Sequence, residues 1–115
     1  MKKLLILLVL LTGTTSFAQN KNAKASFEVK GVCEMCQTRI EKACLKTKGV
    51  KIASWDVKTH QLKLVYNEKK TDLKTIKKAI LNVGHDLKDV MAPDEAYNSL
   101  HGCCKYRDEE VLKAH

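Results

Sequence analysis

The spacing of apolar residues switches between two and about three and a half along this chain, and each switch marks an element. Phe27 and Val29 alternate with Glu28 and Lys30, which predicts a short half-buried strand ending at Gly31. Over residues 35–48, Ile40, Ala43, Cys44 and Thr47 share one helical face opposite Arg39, Glu41, Lys42, Lys46 and Lys48, and Gly49 stops the helix. Residues 50–57 and 61–66, rich in β-branched, aliphatic and aromatic side chains, predict a hairpin that turns at Lys58-Thr59-His60. A second amphipathic helix is predicted over residues 72–83 from Leu73, Ile76, Ile80 and Val83, with Thr71 as its cap and Gly84 as its stop. A last strand over residues 85–90 completes β-α-β-β-α-β. This order predicts an α+β, ferredoxin-like sandwich, one antiparallel sheet with two helices on one face. Ala92-Pro93-Asp94-Glu95 then has the form of a helix start, and a short extra helix is expected to reach Leu100.

At 115 residues there is room for one small domain. The chain opens with Met1-Lys2-Lys3, an aliphatic run over residues 4–11, and small residues Ser16 and Ala18 before Gln19. These are the regions of a secretory signal peptide, expected to be cleaved after residue 18. The run falls far short of the roughly 20 residues a spanning helix needs, so no membrane insertion of the mature chain is expected. The expected organisation is a leader over 1–18, a domain over 24–91 and a C-terminal extension over 92–115, exported to the periplasm or secreted. The formal charge of +8 becomes +6 once Lys2 and Lys3 leave with the leader. In an exported chain this basic excess speaks against nucleic acid as a partner. It suits solvated helix faces, or encounter with an acidic partner surface. No Ser/His/Asp set, paired carboxylates or phosphate-binding loop is present in the sequence, and the reading is not an enzyme.

Export makes oxidation the default fate of paired thiols, yet the five cysteines are odd in number and unevenly placed. Cys33 and Cys36 form a Cys-x-x-Cys, Cys44 stands alone within the first helix, and Cys103 and Cys104 are adjacent. Cys33 and Cys36 fall where a strand gives way to a helix. Free backbone N–H groups and the helix dipole there favour thiolate, the form that binds metal. Soft sulfur selects soft cations, Cu(I) above all. A c-type haem site is excluded because Gln37, not His, follows the pair. A dithiol/disulfide redox pair and a structural zinc site are the alternatives. The first lacks a proline on a strand beside the pair, and the second lacks nearby ligands. Cys44 is expected to pack in the core, and Met35 to pack or lie exposed. Cys103 and Cys104 either fold back over the metal loop as further ligands or form a second weak site on a disordered tail.

The stretches Gly31-Val32-Cys33-Glu34-Met35-Cys36, Arg39-Ile40-Glu41-Lys42-Ala43, Gly49-Val50, the residues 73–80 and Gly84-His85-Asp86-Leu87 together resemble the heavy-metal-associated domain. This is the module of copper chaperones, of the metal-binding repeats of copper-exporting ATPases and of the periplasmic mercuric-ion-binding protein. The resemblance implies the same βαββαβ fold and Cys33 and Cys36 as metal ligands. It also implies a soft-metal carrier or sequestering protein, with Cu(I) as the first expectation and Hg(II) or Zn(II) as other ions. The implied partner is a metal-transporting membrane protein or another metal-binding domain. The chain departs from the family where only Val32 separates Gly31 from Cys33, so the metal loop lacks a residue and its usual Met. It departs again at His85, where Tyr or Lys is common; His85 is either a third ligand or a solvent-facing loop residue. Leu-His-Gly-Cys-Cys-Lys-Tyr after Ala-Pro-Asp is similar to a group of small exported proteins that carry a double-Cys motif behind this domain.

Overall fold

The computed structural model describes residues 19–115, and the leader expected over 1–18 lies outside the described residues. Strand β1 (Ala23–Glu28) leads to helix α1 (Glu34–Lys46), followed by β2 (Val50–Trp55), β3 (Gln61–Tyr66) and helix α2 (Leu73–Asn82). The extension adds α3 (Asp94–Asn98), a 3-10 turn (Gly102–Cys104) and α4 (Glu109–Lys113). Strand order is β1-β3-β2, antiparallel throughout, with Phe27 and Trp55 both opposite Leu62. Among the described residues no helix is long and apolar enough to cross a membrane.

Period-two alternation explains β3: Leu62, Leu64 and Tyr66 turn inward while Lys63 faces water. Helix α1 buries Cys36, Ile40, Ala43 and Cys44, and α2 buries Ile76 and Ile80, against that inner face. Trp55 is 1% exposed and donates from Nε1 to the Val29 carbonyl at 3.0 Å. Its indole fills the space where a Cβ on Gly31 would stand, 2.9 Å away, so only glycine lets the metal loop cross this ring. The hairpin turn is tied by Asp56 Oδ1, which accepts from the N–H groups of Lys58 and Thr59, and His60 takes a positive φ of 62° and stacks on Trp55.

Three details differ from expectation. The second helix begins one residue late and is capped by Asp72, whose Oδ1 accepts from the Thr75 N–H at 2.8 Å. A carboxylate accepts more strongly than a hydroxyl at the positive end of a helix, so Asp72 takes the place expected of Thr71. The strand expected over residues 85–90 shrinks to one antiparallel bridge, Val29 with Leu87. The reason lies in the extension. Tyr106 Oη accepts the Asp86 N–H at 2.8 Å and donates to the Gly84 carbonyl at 2.6 Å, while Leu87 N–H turns back to Val90, so the groups that would extend a ladder are used elsewhere. The hairpin strand β2 stops at Trp55 rather than continuing to Val57.

The extension is bound to the domain, not loose. Tyr97, Leu100, Cys104 and Tyr106 belong to the same buried cluster as Ile40 and Leu62. Arg107 grips Asp86 with two parallel bonds, Nε to Oδ2 at 3.0 Å and Nη2 to Oδ1 at 2.7 Å, and lies 4.1 Å over the Tyr97 ring. Burial alone would raise the Asp86 carboxyl, but the Arg107 guanidinium, the Ala92 N–H and Tyr106 together outweigh it and hold the group below the usual carboxylate range. Gly84, at φ +100°, passes so close to α3 that a Cβ would stand 2.5 Å from the Ala96 carbonyl oxygen.

Tyr106→Phe keeps the ring and leaves the Asp86 N–H and the Gly84 carbonyl buried without partners. Unfolding in urea should show a loss of about 1–3 kcal/mol. An unchanged midpoint would mean that these two bonds do not hold the extension.

Candidate metal centre

Cys33 occupies the N-cap of α1 with extended backbone (φ −145°, ψ 176°), and Cys36 lies in the first turn. The helical turn carries Cys36 inward to 0% exposure while Cys33 stays half-buried at the rim. Their sulfurs stand 3.6 Å apart and unbridged. From the other end of the chain, the 3-10 turn brings Cys104 to 1% exposure with its sulfur 3.5 Å from that of Cys33. Cys103 remains exposed, its sulfur 4.0 Å from that of Cys104, and the Cys33 thiol donates to the Cys103 carbonyl at 3.8 Å. The sulfurs of Cys33, Cys103 and Cys104 all lie within 4.8 Å of one another. Of the two placements considered for the double cysteine, the structure takes the folded-back one.

Thiolates around a tetrahedral ion at about 2.3 Å stand roughly 3.8 Å from each other, close to the 3.6 and 3.5 Å that separate the Cys33 sulfur from those of Cys36 and Cys104. Burial opposes ionisation of Cys33, but the N–H groups of Cys36 and Met35 and the Cys104 and Cys36 thiols together outweigh it and hold its pKa below that of a free thiol. Burial dominates at Cys36 and Cys104 and raises both. The rim thiol therefore ionises more readily than the two behind it, and a metal ion must displace protons from those. Cys44, buried deeper in α1, is pushed up to about 12 by burial and by Glu41, and acts as a small apolar residue.

The concave surface beside Cys104, about 430 Å³, is lined by Met35, Arg39, Lys42, Lys46 and His101. Arg39, Lys42 and Lys46 line the same concavity as Cys104, and their charge would offset part of what several thiolates concentrate.

His85 does not face solvent. It is 0% exposed, its ring stacks on Tyr106 at 5.5 Å, and Nδ1 lies 2.8 Å from the Lys30 carbonyl. A carbonyl only accepts, so Nδ1 carries the proton, and Nε2 has no hydrogen-bond partner among the described residues. The ring is not in the group formed by the sulfurs of Cys33, Cys103 and Cys104. Sequence reasoning did not find Tyr106, Arg107 and Asp86, which hold Cys104 in place. Their only signal is an aromatic-Arg pair directly behind the double cysteine. It also did not pair Met35 with the extension, although the Cys103 thiol donates toward Met35 Sδ at 3.4 Å.

Burial lowers His85 from 6.5 to about 4, so the folded protein keeps it neutral where the unfolded chain takes up a proton. Stability of the metal-free protein should therefore fall as pH drops from 6.5 towards 4, by about 3 kcal/mol from this residue. In His85→Phe that part of the pH dependence should vanish. Equal slopes in the two proteins, read by urea unfolding, would contradict it.

Over 64 residues the chain is 39% identical to a copper-exporting P-type ATPase of Staphylococcus haemolyticus, covering 55% of this chain and only 8% of that protein. It is 32% identical over 56 residues to the copper chaperone CopZ of the same organism, covering 49% of this chain and 82% of the chaperone. Among solved structures, the N-terminal domain of a potential copper-translocating P-type ATPase from Bacillus subtilis, in its Cu(I)-loaded state, superposes with a TM-score of 0.55 at 32% identity. That match covers 58% of this chain and 85% of the other. Residues 26–86, more than half of the sequence, match the Heavy-metal-associated domain, and the chain belongs to that family.

Proposed function

We propose that this protein is an exported carrier or sequestering protein for Cu(I), holding the ion between Cys33 and Cys36 of the loop and Cys104 of the extension. The observation that carries the reading is the 3.5 Å approach of Cys104 to Cys33, which adds a third sulfur to the family's pair. Three thiolates with neither oxygen nor nitrogen among them suit a soft monovalent ion, whereas structural zinc takes four ligands. The relatives named for copper support the same ion.

Two thiolates at a surface loop leave an ion open to exchange. A third, buried sulfur encloses it and shifts the balance towards retention. The receiving partner is a metal-transporting membrane protein or another domain of this family. The basic surface of Arg39, Lys42 and Lys46 next to the site would quicken encounter with an acidic partner face.

Anaerobic titration of the reduced chain with Cu(I) against a competing chelator tests the reading. Cys33→Ser with Cys36→Ser should abolish tight binding while far-UV circular dichroism stays the same, since the fold rests on the sheet and helix faces. Cys104→Ser should weaken retention about tenfold or more, with a drop in the number of sulfur neighbours seen by X-ray absorption. Equal affinity in the loop double variant would sink the site.

A further inference from the structure

Cys103 and Cys104 are consecutive residues on a three-residue 3-10 turn. At three residues per turn, successive side chains diverge by about 120°, so the two thiols cannot both face inward. Cys104 enters the core, and Cys103 stays in water. The Cys103 sulfur lies 3.4 Å from Met35 Sδ, nearer than its 4.0 Å to Cys104. Met35 is 48% exposed, although a thioether is apolar enough to bury. Both sulfurs line an open concavity of about 470 Å³ together with Cys33, Glu34, Val57 and His115. Chain segments far apart in sequence thus place a thiol and a thioether side by side at the mouth of the site, with the sulfurs of Cys33 and Cys104 within 4.8 Å of the Cys103 sulfur.

We propose that Cys103 and Met35 form a second, outer soft-metal position, sharing Cys33 with the inner set, so that the chain takes up two Cu(I) ions in sequence. This rests on the Cu(I) reading above and adds a position to it. Two thiolates, one of them shared with the inner set, and a neutral thioether bind Cu(I) more weakly than three thiolates, so the inner set fills first and the outer position second. An ion at the outer pair reaches the inner set by exchanging Met35 and Cys103 for sulfurs behind them. Copper stays Cu(I) throughout, each ligand is replaced by another, and each thiol that binds releases its proton to water. Because Cys33 lies within 4.8 Å of Cys103 and of Cys104, the ion passes between positions without leaving sulfur.

The test is native mass spectrometry of the reduced full chain during anaerobic titration with Cu(I) supplied from a chelator complex. The unaltered chain should load one ion and then a weaker second. Met35→Leu combined with Cys103→Ser should stop at one ion, with affinity for the first ion within about threefold of the unaltered chain. Both substitutions are at exposed positions and preserve side-chain volume, and circular dichroism checks the fold. Met35→Leu alone should weaken the second ion and leave the first. If the unaltered chain stops at one ion, or the double variant still takes two, the outer position is wrong while the inner set stands. An unaltered chain that takes no ion tightly overturns the Cu(I) reading itself.

Discussion

The clamp between the extension and the loop after α2 is the constraint on which the site depends. Arg107 meets Asp86 through a two-pronged ion pair, and Tyr106 bonds to the backbone on either side of His85. Asp86 also accepts the Ala92 N–H at 2.6 Å, so one carboxylate holds both the start and the end of the extension. Those contacts fix the 3-10 turn, and the turn fixes Cys104. With the clamp undone, the βαββ frame would keep its loop pair, but the third sulfur would be free to leave.

The same clamp accounts for the missing fourth strand. A βαββαβ sheet ordinarily spends the backbone after its second helix on a ladder with β1. Here the Lys30 N–H still bonds to the Asp86 carbonyl at 2.8 Å, but the Asp86 N–H points to Tyr106. Beyond the single Val29–Leu87 bridge, no further strand pairs with the outer side of β1 among the described residues.

Much of this was legible in the sequence, for identifiable reasons. Leu62, Leu64 and Tyr66 announced their face through strict alternation, and Ile76 with Ile80 announced theirs through helical spacing. The Cys33–Cys36 loop was readable because its spacing and its place at a helix start are local facts. Cys104 against Cys33 was not, since ligand type carries no distance and the contact spans 71 positions. His85 misled in a different way. A histidine behind a glycine in a polar stretch looks solvent-facing, and only the arrival of Tyr106 from the far end buries it.

The contact between positions 33 and 104 joins most of the described length into one ring, and an ion held across it would close that ring with metal–sulfur bonds. Closing so long a loop removes freedom from the unfolded chain, and the cost of opening it grows with the logarithm of its length. A loaded molecule would thus be harder to fray at its C-terminal end than an empty one. Cargo status would then become lifetime: a protease that samples loose ends should trim empty molecules before full ones.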